Sequence, residues 1–185
     1  MNLEEIRALM RNDLDALDTT IRRRLSSDVL LVNQVAEYII AGGGKRLRPL
    51  LVITAAGACG YNGPHHVDGA AIIEFIHTAT LLHDDVVDAS ELRRGRDTAN
   101  SVFGNEASVL VGDFLYSRAF QMMNDIGNLR VLNVMADATN MIAEGEVLQL
   151  MNCNDPDTTE HRYREVILRK TATLFEAGAR LAGVI

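Results

Sequence analysis

The stretch Ala70-Ala71-Ile72-Ile73-Glu74-Phe75-Ile76-His77-Thr78-Ala79-Thr80-Leu81-Leu82-His83-Asp84-Asp85-Val86-Val87-Asp88 sets the terms for the rest of the chain. Residues 70–82 are almost continuously apolar and read as a buried helix. The run ends in carboxylates at i, i+1 and i+4. At about 100° per residue, Asp84 and Asp88 share one helical face a turn apart, with Asp85 beside them. His77 lies further back on that face, with Glu74 at its edge. Three like charges on one turn repel, and carboxylates late in a helix oppose its dipole. A cation should therefore compensate, and two sources are open. Arg93-Arg94 follow within ten residues, leaving a solvated, paired helix end; or a hard divalent cation bridges the carboxylates. Mg²⁺ suits the second case, since it takes one or two carboxylates, several waters and phosphate oxygens from a substrate. Cys and His in zinc spacing are absent.

On both sides of this stretch the pattern is helix after helix. Residues 3–25 carry apolar side chains at a period near 3.6, read as one helix. Ser27-Asp28 can cap a second helix, which stops at Gly42-Gly43-Gly44. Pro49 opens a third, ending near residues 57–60. A polar loop spans residues 93–100, and Asn105 is placed to cap a helix that continues to Met123. Gly127-Asn128 breaks the chain before a helix over residues 129–151. Asp157-Thr158-Thr159-Glu160 resembles a capping box for the last helix, through Leu181. Met122-Met123, Met141 and Met151 read as core filler, Asp113 as buried and hydrogen-bonded, and His83 as structural. No segment alternates with a period of two, and no repeat or linker divides the chain. Residues 1–185 read as one all-α domain.

Composition agrees. Hydrophobic residues make up 48% of the 185, aromatics only 5%, and Trp is absent, which favours helix-on-helix packing. A net charge of −7 argues against nucleic acid as the main partner, so any functional basic residues must be clustered locally. Two distant cysteines, Cys59 and Cys153, indicate a reducing compartment, and neither a targeting segment nor a membrane span is visible. A cytoplasmic protein is expected. The chain stops at Gly183-Val184-Ile185 while still reading as helix, so more protein is expected to follow.

The second cluster is Gly42-Gly43-Gly44-Lys45-Arg46-Leu47-Arg48-Pro49. Glycines free the backbone to turn N–H groups inward, and three basic residues next to a helix start add charge. Together they form an anion site of phosphate type; the bland alternative is a solvated basic turn.

The run from Gly43 to Pro49, the Asp-Asp-x-x-Asp of residues 84–88, Arg93-Arg94-Gly95 and Lys170-Thr171 resemble the trans-isoprenyl (polyprenyl) diphosphate synthases, as do residues 74–83 and 145–150. The resemblance covers essentially the whole chain. It implies a bundle of long, mostly antiparallel helices around a central cavity, the isoprenoid synthase type, present here as its N-terminal portion. It also implies condensation of isopentenyl diphosphate with an allylic diphosphate. Asp84 and Asp88 would bind Mg²⁺ that grips the allylic diphosphate, supported by Asp85, with Arg93, Lys170 and Thr171 contacting the same group. Lys45, Arg48, His77 and Arg94 would hold isopentenyl diphosphate, with Arg46 nearby. Released pyrophosphate would be the base.

In this family the side chains just upstream of the aspartates form the floor under the growing tail. Here these are Ala79 and Thr80, without an aromatic, so a long, octaprenyl-type product of the kind used for ubiquinone side chains is expected. Such a product implies transient membrane contact on release, and the family is typically homodimeric. A second aspartate-rich motif, expected downstream of Thr171, does not occur in these residues. The 185 residues alone are therefore expected to be inactive or nearly so. Two alternatives stay open: a non-catalytic subunit of a prenyl synthase, and another helical terpenoid synthase. The intact aspartate run and both arginines speak against the first, and the Lys45-Arg46-x-Arg48 cluster against the second, because a cyclase holds no second diphosphate.

Overall fold

An apolar run of this length buries itself on every side, and helix α5 (His65–Val87) does so: Ala70, Ala71, Ile72, Ile73, Ile76, Ala79 and Leu82 are fully enclosed. The computed structural model describes residues 2–185. Around α5 stand α1 (Leu3–Leu9), α2 (Arg11–Leu25), α3 (Leu30–Ala41), α4 (Leu47–Ala58), α6 (Ala99–Phe103), α7 (Asn105–Ile126), α8 (Leu129–Asn152), α9 (Glu160–Ile167) and α10 (Thr173–Ala182). The most extensive packing is α5 on α7, followed by α4 against α5 and α10. Close approach depends partly on missing side chains. A Cβ on Gly69 would strike Leu181, and one on Gly112 would strike His83.

Several local expectations are corrected. Residues 3–25 form two helices, because the chain leaves helical geometry at Met10; α1 is opened by Asn2 and Glu5 in a reciprocal capping box. The cap of α3 is Val29, with Ser27 bonded to its N–H and to Asn33. Helix α4 starts at Leu47, two residues before Pro49, whose missing N–H falls among the first-turn donors that have no helical partner anyway. Gly104, at φ 90°, precedes α7, and Asn105 is its first residue rather than its cap. Thr159, not Asp157, caps α9 by accepting from the Arg162 N–H. Asp113 is mostly exposed and pairs with His83 at 3.4 Å; Met141 and Met151 are exposed, unlike Met122 and Met123.

Two features lie outside the helical reading. Leu92–Arg93 (β1) and Arg96–Asp97 (β2) pair antiparallel around Arg94 and Gly95, both at positive φ, as a primed two-residue turn requires. Between α9 and α10 the helix widens into a π turn, Leu168–Ala172. Such turns insert one extra residue into a continuing helix. Among the described residues no helix is long and apolar enough to cross a membrane.

Candidate functional site

Helix α5 carries polar side chains to two cavities. The first is about 520 Å³ and is lined by the glycine loop before α4, by the hairpin and by Phe175 of α10. Lys45, Arg46, Arg48, Arg93, Arg94 and Arg96 all line it, facing Glu74, His77 and Asp85 from α5. The second, about 1140 Å³, opens between α5, α7 and α8. Thr80, Asp84 and Asp88 line it from α5, Tyr116 and Phe120 from α7, and Ile142 and Glu146 from α8.

The basic cavity is organised by carboxylates that each hold one arginine. Arg46 leads into α4 in the left-handed conformation and is ion-paired to buried Glu74. Arg93 presents its fork to Asp85: Nε donates to both carboxylate oxygens at 3.0 Å and Nη2 to Oδ1 at 2.8 Å. The Asp85 side chain is 2% exposed, so this bidentate pair is what permits a carboxylate there. The hydrogen bond to Asp85 is the main reason the Arg93 pKa is raised. Arg94, one residue on in the turn, donates instead to the Gly43 carbonyl and so ties the hairpin to the glycine loop. Arg48 donates to His77 Nε2 at 3.1 Å and lies 4.5 Å from the Phe175 ring centre. Burial, then the charges of Arg48, Arg94, Arg93 and Arg46, push the His77 pKa down to about 3. His77 is therefore a neutral acceptor in this cavity. Burial likewise lowers Arg48, with Glu74 opposing.

At the second cavity a single amine spans two carboxylates. Lys170 Nζ, on the π turn, lies 2.6 Å from Glu146 Oε2 and 3.2 Å from Asp84 Oδ2. Burial lowers its pKa, but the Glu146 hydrogen bond and the Asp84 charge outweigh that, and the net shift is upward. Glu146 shifts upward as well: burial is the largest cause, and with the Asp84 charge it outweighs the lowering by the Lys170 hydrogen bond. Asp88 ends α5 as its C-terminal cap and is exposed at the rim.

The sequence-predicted residues thus fall into two groups. Lys45, Arg46, Arg48, His77, Arg93 and Arg94 meet in the basic cavity; Asp84, Asp88, Thr80 and Lys170 meet at the larger one. Asp85 points away from Asp84 and Asp88, and what it supports is Arg93. Thr80 lines the larger cavity, whereas Ala79 is enclosed in the core. Thr171 is exposed and lines neither. Sequence reasoning missed Glu146 and Arg96 as site residues. For Glu146 the signal was available: it stands within residues 145–150, which carry part of the family resemblance.

A family model described as polyprenyl synthetase matches residues 29–185. The chain belongs to the polyprenyl synthetase family. It is 60% identical to octaprenyl diphosphate synthase of Escherichia coli K12 over all 185 residues, which span 57% of that protein. A decaprenyl diphosphate synthase structure from Rhodobacter capsulatus superposes with a TM-score of 0.94 at 49% identity, covering 99% of this chain and 57% of that one. A polyprenyl synthase from Caulobacter crescentus, complexed with calcium and isoprenyl diphosphate, does so with 0.96 at 45% identity, covering 99% and 56%. The chain therefore spans just over half the length of these relatives.

Proposed function

We propose that this polyprenyl synthetase chain builds the two diphosphate sites of a long-chain prenyltransferase, with isopentenyl diphosphate on the basic flank of α5 and the allylic diphosphate at Asp84 and Asp88. The observation that carries this is the sorting itself: six cations line one cavity, and paired aspartates open onto a larger, mostly apolar one. Fixed guanidiniums beside a neutral histidine suit a diphosphate head group. Tyr116, Phe120 and Ile142 suit a hydrocarbon tail.

A hard divalent cation fits the acidic flank. Asp84 and Asp88 offer oxygen donors only, and Mg²⁺ commonly takes two carboxylates and completes its shell with water and phosphate oxygens. No group of three His, Cys, Asp or Glu able to hold a metal by themselves occurs among the described residues, so substrate oxygens belong to the site as proposed. The ion would supply charge stabilisation for the departing diphosphate. The chain's own residues do the rest. Lys170 brings a cation to the same oxygens, and the basic cavity orients isopentenyl diphosphate so that its double bond meets the allylic carbon. The allylic C–O bond breaks, a C–C bond forms, and the proton then lost passes to the released diphosphate. The volume of the apolar cavity and the octaprenyl and decaprenyl names of the relatives support a long product.

The test is incorporation of radiolabelled isopentenyl diphosphate with an allylic primer and Mg²⁺. It uses this chain alone and mixed with the separately expressed C-terminal portion of the E. coli relative. The mixture should yield long-chain polyprenyl diphosphate only with Mg²⁺, and the chain alone little or none. An assembled mixture that leaves the label in isopentenyl diphosphate would overturn the proposal.

A further inference from the structure

The larger cavity contains one carboxylate to which no role has been given. Glu146 projects from α8 opposite Asp84, half-buried, with Oε2 on the Lys170 amine at 2.6 Å and Oε1 buried without a hydrogen-bond partner. Its neighbour Gly145 has no room for a side chain: a Cβ there would lie 2.8 Å from the Arg169 Cβ and 2.9 Å from the Lys170 backbone nitrogen. The two residues grip the π turn together, one by letting its backbone approach and the other by charge.

We infer that Glu146 is a positioning residue that holds the Lys170 amine over the aspartate shelf, and that it becomes the amine's sole carboxylate anchor once Asp84 is engaged by a divalent cation and diphosphate. The inference rests on the function proposed above and adds to it a residue that contacts no substrate. The π turn places the Lys170 backbone, but without an anchor its side chain is a four-carbon stem with freely rotating donors. Asp84 is the longer contact, at 3.2 Å, and its charge is the one a metal ion would claim. The second Glu146 oxygen is buried, and among the described residues no cation other than Lys170 pairs with this carboxylate. A carboxylate kept beside a half-buried ammonium also prevents the amine from turning fully onto Asp84 and displacing the ion.

The test is a double-mutant cycle read by isothermal titration of inorganic pyrophosphate with Mg²⁺ into this chain. Glu146→Gln, similar in shape but uncharged, should weaken binding about tenfold when Lys170 is present and less than twofold in the Lys170→Ala background. Glu146→Asp, which keeps the charge on a shorter stem, should fall between, and it replaces the Gln variant if that one does not fold. The enthalpy of Mg²⁺ binding without pyrophosphate should not change. Equal losses in both backgrounds, or none in either, would sink the inference while leaving the two-site reading intact. A wild-type chain that binds no magnesium pyrophosphate would sink both.

Discussion

Among the described residues Asp85 has one cationic partner, Arg93, and its carboxylate is buried. Replacing Arg93 by Ala leaves a carboxylate that is 2% exposed without its bidentate donor. The variant should lose about 2–3 kcal/mol in urea unfolding, and Arg93→Lys less, since an ammonium restores charge without the fork. His77 makes a second prediction. Its folded pKa, about 3, lies below the ordinary 6.5, so between those values the unfolded chain binds the extra proton. Stability from this residue is complete above about pH 6.5 and is lost as pH falls toward 3, with a slope of at most about 1.4 kcal/mol per pH unit. His77→Gln should flatten the pH dependence of the urea midpoint in that window; an unchanged slope would assign it to other groups. The aspartate run showed in the sequence that a cation was needed, but not which carboxylate would take which. On the helix, Asp85 sits about 100° from Asp84, enough to turn it into the other cavity, and its arginine is delivered by a hairpin too short to read from a pattern.

The segments joining the helices carry most of what a periodic reading overlooks. Strands of two residues leave no alternation to detect, and the π turn leaves no compositional trace, yet these two pieces place Arg93, Arg94 and Lys170. The long helices were legible because their apolar stripes run for many turns; their ends were not, since Asp157 is by type at least as good a cap as Thr159, which does the capping. Ala89, just after α5, holds φ 48° while Ser90 N–H closes back on the Asp85 carbonyl. Left-handed geometry costs a residue with a Cβ about 1–2 kcal/mol. Ala89→Gly should therefore stabilise the chain by about 0.5–1 kcal/mol after the greater freedom of the unfolded glycine is counted, as read from the urea midpoint. Of the two residues expected to form a floor, only Thr80 lines the larger cavity. Thr80→Phe, in the complemented enzyme, should shift the product distribution to shorter chains by mass spectrometry, whereas Ala79→Phe should chiefly destabilise, because Ala79 is enclosed.

For the molecule as a whole, the proposed ligand should act as a brace. Magnesium pyrophosphate at a hundred times its dissociation constant adds about 2.7 kcal/mol, equivalent to a rise of roughly 5–10 °C in Tm for a chain of this length. Chelating the metal should abolish the rise, and an equal rise with pyrophosphate alone would count against a cation at Asp84. The architecture itself was readable, since low aromatic content, long apolar periods and capped breaks all favour stacked helices. The division of the cavity was not, because it depends on where neighbouring helices stand rather than on any one of them. That division seats two tenants side by side along α5, whose consecutive residues Asp84 and Asp85 each serve one of them. The tenant on the hairpin side can stay in place while α7 and α8 are rebuilt around the other, so the reach of the hydrocarbon can drift among relatives without renegotiating the neighbouring head-group berth.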